Sequence, residues 1–213
     1  MSKLVIFFFL ISLGFGAHSD AVADIAPRLK VTVPQILDPS SLQLDKLILV
    51  MRHTARDPMD AQALAIVDRV GTCDLRGAAL NQKGKEQAQT IAKKIKKLSI
   101  KPEKILSSPA CRTQQLARII FDGHPIEIHH GLVHSVAKAD DEAELWGPLL
   151  LYWLSLPVKN GVRFISGHSD TLKALNQKGV PHRHLEEGDA AVIKPLGNKQ
   201  FEYLGIIPNG KCL

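Results

Sequence analysis

The chain has 213 residues, 45% of them hydrophobic and 23% charged, with a formal net charge of +6. That balance fits one globular domain with a sizeable core and excludes a disordered or low-complexity chain. Aromatic residues are only 5%, and basic residues are dispersed apart from Lys93-Lys94 and Lys96-Lys97. A nucleic-acid surface with stacking rings is therefore not expected, whereas an anionic substrate suits the charge.

Lys3 precedes an almost wholly apolar run at 4–15, followed by the small-x-small triplets Ala17-His18-Ser19 and Ala21-Val22-Ala23. This predicts a signal peptide over 1–19, with cleavage as late as 23, and a periplasmic or secreted protein. The run falls short of the roughly 20 residues that span a bilayer, so no stable membrane insertion is expected after cleavage. Residues 24–44, with Pro27, Pro34 and Pro39, read as an arm leading into a domain over 45–213. Export makes a disulfide expected among Cys73, Cys111 and Cys212, and spacing alone leaves all three pairings open. No Cys-x-x-Cys occurs, and neither a zinc or other metal site nor a thioredoxin-type redox site is expected.

Leu47-Ile48-Leu49-Val50-Met51 reads as a buried strand of a parallel sheet, over 46–51, ending in Arg52-His53. A long connection follows over 54–80, with a helical turn at 61–67, and loops of that length are usually functional. Ala88, Ile91, Ala92, Ile95 and Leu98 recur with helical spacing from Asn81 onward, with Lys and Gln on the other face. Ile105-Leu106 marks a second strand. The next helix is expected to have Ser108 as N-cap, Pro109 in its first turn and Leu116, Ile119 and Ile120 inward. A third strand is expected at 126–130, a core-facing helix at 140–156, and a fourth strand at 162–165 ending in Ser166-Gly167-His168. A helix at 171–177 and two strands at 190–195 and 200–207, turning at Gly197-Asn198, complete the pattern. Alternating strands and helices predict an α/β fold, a three-layer α/β/α sandwich with a mainly parallel central sheet.

Ligands of such sheets bind at the carboxyl ends of strands, where Arg52-His53, Cys111-Arg112 and Gly167-His168 all fall. Two guanidiniums and two imidazoles at one edge suit a phosphoryl group: Arg supplies forked donors, and one His can act as nucleophile. Arg112 also sits in the first turn of a helix, which favours anions.

The motifs resemble those of the histidine phosphatase superfamily, the phosphoglycerate-mutase-like fold, branch 1. Arg52-His53-Thr54 is similar to its Arg-His-Gly signature, and Leu80-Asn81-Gln82-Lys83-Gly84-Lys85-Glu86-Gln87-Ala88 to its Leu-[Ser/Thr]-x-x-Gly-x-x-Gln-Ala helix entry. Ser107-Ser108-Pro109-Ala110-Cys111-Arg112 resembles Ser-Ser-Pro-x-x-Arg, and Gly167-His168 the final Gly-His element, followed by Gly188-Asp189-Ala190-Ala191-Val192. The resemblance implies that His53 attacks phosphorus and becomes a phosphohistidine that water hydrolyses. Arg52, Arg112 and His168 would hold the phosphoryl oxygens without a cofactor. Activity would fall at low pH, because the attacking nitrogen must be unprotonated.

Two departures stand out. Thr54 replaces Gly and would narrow the site or add a phosphate-binding hydroxyl. The family's acid is not evident: Leu132-Val133-His134 has His where Glu would stand, leaving Asp140, Asp141 and Asp57 as candidates. Leaving groups that need little protonation, such as phosphohistidine or a phosphoanhydride, would then be favoured. Exported members of the family imply a Cys73–Cys111 bridge with Cys212 free. The expected substrate is a phosphorylated small molecule or a cell-envelope phosphate. The alternatives are a catalytically weak or inactive phosphate-binding protein of the same fold, or a cytoplasmic phosphohistidine phosphatase.

Overall fold

The computed structural model describes residues 36–39, 42–133, 140–172 and 185–209, the side chains of 140–147 excepted. The expected signal peptide, most of the arm, His134, the helix beyond 172 and Cys212 lie outside the described residues, as do the Asp140 and Asp141 side chains.

Six strands form one sheet in the order β3-β2-β4-β1-β5-β6. They are β1 (Ile48–Arg52), β2 (Pro102–Ser107), β3 (Glu127–Ile128), β4 (Val162–Gly167), β5 (Ala190–Gly197) and β6 (Gln200–Ile207). β1, β2, β3 and β4 pair in parallel, while β5 runs antiparallel to both β1 and β6. The fold is thus the expected phosphoglycerate-mutase-like α/β sandwich, its parallel part completed by an antiparallel edge.

Alternation along β1 assigns the two faces. Leu49 and Met51 join a core with Ala88, Ile91 and Ile95 of α2 (Gln82–Lys97) and Leu116, Ala117 and Ile120 of α3 (Cys111–Ile120). Ile48 and Val50 face the other way, onto Leu150, Leu151 and Leu154 of the third-layer helix, Asp140–Ser155. Both faces of β1 are dry, which is why its sequence is continuously apolar rather than alternating.

Helix boundaries follow their caps. The Asn81 side chain accepts from Gly84 N–H at 2.9 Å and starts α2, whose last turn carries Lys94, Lys96 and Lys97 where they suit the macrodipole. The turn expected at 61–67 is a longer helix, α1 (Ala61–Val70), because Asp60 caps its start and Gly71 ends it at φ +73°. The Asp140–Ser155 helix is labelled α4 below. The third strand is shorter than expected, since after the last ladder bond, His129 N–H to Ser107 O, the chain enters a 3-10 turn at His130–Leu132.

The start of α3 corrects the sequence reading. Ala110, not Ser108, occupies the cap position, and no side chain caps the helix. Ser108 points instead into the site, and Pro109 precedes the helix.

Candidate active site

The ladder between β1 and β4 pairs Arg52 with Gly167, and beyond it His53 N–H donates to Gly167 O at 3.0 Å. Beyond β2, Ser108 N–H donates to Ser166 O at 3.1 Å. Sheet register therefore carries His53, Ser108 and His168 to one edge, where the two imidazole centroids lie 5.6 Å apart.

His53 Nδ1 lies 2.8 Å from Thr54 O. A carbonyl only accepts, so Nδ1 carries the proton and Nε2 keeps its lone pair. The ring is 3% exposed and its pKa is pushed well below 6.5, first by burial and then by Arg112, with Arg52 and Arg56 adding to it. The bond to Thr54 O opposes this, but burial and the guanidinium charges win. His53 is a neutral imidazole with an available nitrogen.

His168 is fully buried, with Nδ1 3.1 Å from Arg112 Nη2 and Nε2 2.9 Å from Ser108 Oγ. Guanidinium only donates, so Nδ1 accepts and Nε2–H donates to Ser108. Ser108 Oγ in turn lies 2.8 Å from Thr113 Oγ1, whose hydroxyl donates to Ala110 O at 2.7 Å.

Arg112 is held end-on by Asp68: Nη1 to Oδ1 at 2.5 Å and Nη2 to Oδ2 at 2.7 Å, both side chains at most 1% exposed. Arg52 donates from Nη1 to Leu185 O at 2.9 Å and lies 3.8 Å from Glu187 Oε1 through Nη2. The Nε–H groups of Arg52 and Arg112 are both buried and have no hydrogen-bond partner among the described residues. Buried guanidinium donors left over at one edge are what an anion needs.

The structure places Arg52, His53, Arg112 and His168 at one sheet edge, and three charges not expected from the sequence lie with them. Asp68 had a signal: Leu64, Val67 and Asp68 share one helical stripe, so a carboxylate stands on the buried face of α1. Arg56, half-buried, has its basicity lowered by burial and then by Arg112, while Asp68 and Glu187 counter this. It is a third guanidinium in the same field. Glu187 lies beside Arg52 just ahead of β5.

Two expected roles change. The Thr54 hydroxyl donates to Gly84 O at 2.8 Å and so ties the strand end that carries His53 to α2, a partner other than the phosphate expected for it. Asp57 accepts from Asn81 Nδ2 at 3.2 Å and Arg76 Nε at 3.1 Å, and the first of these bonds, then the second, holds its carboxyl below the usual range. A carboxylate so held is poorly suited to donating a proton. The Cys73–Cys111 disulfide is formed, with a Cα–Cα distance of 5.2 Å, and it ties the segment after α1 to the start of α3.

Among the described residues no group of three or more His, Cys, Asp or Glu side chains is placed to hold a metal ion, and no helix is long and apolar enough to cross a membrane. His130 and His134 are four residues apart in sequence, but 130–132 is a 3-10 turn and His134 lies outside the described residues.

Known proteins bear on this arrangement. The structure of a mycobacterial glucosyl-3-phosphoglycerate phosphatase in complex with VO3 aligns with a TM-score of 0.52 at 15% identity, covering 77% of this chain and 98% of that one. The protein histidine phosphatase SixA complexed with tungstate aligns with a TM-score of 0.51 at 12% identity, covering 76% and 97%. At such identities the likeness speaks for the fold. No curated protein matches the chain. Residues 48–133, which run from the strand of Arg52 and His53 through the helix of Arg112, match the model of the histidine phosphatase superfamily (branch 1), and with the phosphoglycerate-mutase-like fold they support a histidine-type phosphatase.

Proposed function

We propose that the chain is a phosphohydrolase that passes a phosphoryl group through His53. The observation that carries this is the state of His53: a buried neutral ring, Nδ1–H fixed on Thr54 O, Nε2 available, and three guanidiniums acting on it. Nε2 attacks phosphorus in line and forms a P–N bond. The bond to the leaving oxygen or nitrogen breaks with its electron pair on the leaving group. Water then attacks the phosphohistidine, releasing phosphate and restoring His53. The unpaired Nε–H donors of Arg52 and Arg112, with Arg56 nearby, offset the negative charge of the phosphoryl oxygens as it spreads in the transition state.

Asp57 is committed to Arg76 and Asn81, so the reading favours leaving groups that depart with little protonation, a phosphoanhydride or a phosphoramidate such as phosphohistidine. Alkyl esters would require a carboxyl from the start of α4. A phosphorylated small molecule or a cell-envelope phosphate, met after export, remains the proposed substrate class. N-terminal sequencing of the native protein tests the export.

The direct test is hydrolysis of para-nitrophenyl phosphate by the purified protein beside His53→Ala. Turnover is expected to fall by about 10³-fold or more and an acid-labile, alkali-stable phosphoenzyme to vanish. Turnover unchanged in His53→Ala refutes the mechanism. Phosphate binding without turnover over a broad panel favours the binding-protein alternative.

A further inference from the structure

The Asp68–Arg112 pair sits where charge is expensive. Both side chains are buried in the protein interior, and nothing in α1 itself requires a carboxylate beside Leu64 and Val67. A buried ion pair is weak evidence for stability, so its orientation matters more than its existence.

A guanidinium has an end and a side. Asp68 takes the end, one hydrogen from each Nη. The side edge consists of Nε–H and the second hydrogen of Nη2. That Nη2 hydrogen meets His168 Nδ1, and Nε–H, buried, has no partner among the described residues. The side edge therefore faces the imidazoles. Because bidentate pairing fixes the guanidinium plane, Asp68 determines which edge of Arg112 is presented to the phosphoryl group.

Asp68 is itself anchored to the helix that carries Arg112. Gly71, which ends α1, packs so closely that a Cβ there would lie 2.6 Å from Pro109 O. Cys73 is bonded to Cys111, the residue before Arg112, and Arg112 N–H donates to Ala78 O at 3.2 Å. Guanidinium and carboxylate are thus held on two backbones joined by a covalent bond.

We propose that Asp68 is a positioning residue that acts through Arg112, turning its Nε edge toward the phosphoryl group, with the Cys73–Cys111 bridge keeping the two in register. The proposal rests on the phosphatase reading of the site, yet it predicts a sign that can be read without turnover. Removing a carboxylate makes the site more positive, so charge alone predicts tighter anion binding. Positioning predicts weaker binding, because Arg112 loses its orientation.

The experiment is titration calorimetry with orthovanadate on wild type, Asp68→Asn, Arg112→Gln and the double variant, alongside para-nitrophenyl phosphate kinetics. Asp68→Asn is expected to weaken vanadate binding about tenfold and to lower kcat more than it raises KM. In the Arg112→Gln background the same change should cost about nothing further, since its effect runs through the arginine. Asp68→Asn that binds vanadate as tightly as wild type, or more tightly, overturns the proposal, as does a double variant clearly weaker than Arg112→Gln. Wild type that binds vanadate without turnover removes the proposed function and leaves this test standing; wild type that binds no vanadate overturns both. If Asp68→Asn does not fold, side-chain NMR of wild type decides. Separately resolved Arg112 Nη–H signals that persist on adding vanadate support Asp68 as a fixed partner. Their collapse means that the anion displaces it, and refutes positioning.

Discussion

Gly84 lies in the first turn of α2, and its replacement by Ala sets two effects against each other. Ala is a better helix former than Gly by about 1 kcal/mol, so on propensity alone Gly84→Ala should stabilise. A Cβ at this position would, however, lie 2.0 Å from Ala55 O and 2.9 Å from Ala55 C, which is backbone and cannot rotate away. The 54–55 segment must retreat by at least about 1.4 Å to reach ordinary contact, at a strain of about 1–3 kcal/mol. Three hydrogen bonds span the same gap: Thr54 Oγ1 to Gly84 O, Asn81 N–H to Ala55 O and Ala55 N–H to Gln87 Oε1. Losing them costs about 1 kcal/mol each, so with the strain added and the propensity gain subtracted the net expectation is a destabilisation of about 3–5 kcal/mol. The larger effect falls on catalysis. Thr54 O orients His53 Nδ1–H, and a shift of about 1 Å in such a support costs about 10²-fold in rate. Urea unfolding and kcat/KM for para-nitrophenyl phosphate, measured on the same preparation, check both. A variant about 1 kcal/mol more stable, with kcat/KM within twofold of wild type, refutes the reasoning.

Three other perturbations have signs fixed by the structure. Cys73→Ser/Cys111→Ser opens a loop with a sequence separation of 38 and should lower the unfolding free energy by about 4 kcal/mol, read from urea melts; a loss under about 1 kcal/mol would contradict it. Arg163, 2% exposed, donates to Trp153 O, Leu156 O and Pro157 O at the end of α4, so Arg163→Met should cost about 3 kcal/mol by the same assay, and an unchanged midpoint would argue that these bonds are not worth making. His53 is depressed in the folded state, so the unfolded chain binds more protons as pH drops below about 6.5. Its stability contribution is therefore whole above that value and is lost as pH falls through the folded one; His53→Gln should flatten this slope, and the acid limb of kcat/KM should lie below 6.5.

The elements that show in the sequence are those whose partners are averaged over many contacts. β1 is buried on both faces, so five apolar residues in a row announce it, and α2 has one wet face, so its lysines do the same. What the sequence hides is pairwise and distant. The stripe of Leu64, Val67 and Asp68 turns a carboxylate inward, but nothing local says that its partner is Arg112, 44 residues later. Ser108 has the local look of a cap because serine often caps, but His168, 60 residues away, lies on its hydroxyl. Thr54 reads as a ligand residue because it follows Arg52-His53; its hydroxyl is occupied by a carbonyl 30 residues on. Local pattern carries burial well and specific polar partners poorly, because one hydrogen bond leaves no periodicity.

The charges of the site serve two ends that are usually in tension. An anion pocket wants cations, and a histidine nucleophile must not be protonated. In the proposed mechanism Arg112, Arg52 and Arg56 serve both, because each would attract the phosphoryl group and each lowers the proton affinity of His53. Burying Arg112 fully would be costly without a counter-charge, and Asp68 supplies one from the end of the guanidinium, leaving its side edge to the site. The neutral state of His168 follows from the same pair, since Arg112, fixed by Asp68, donates to its Nδ1. The position of a single carboxylate on α1 thus bears on the orientation of one guanidinium and, through it, on the protonation of both imidazoles.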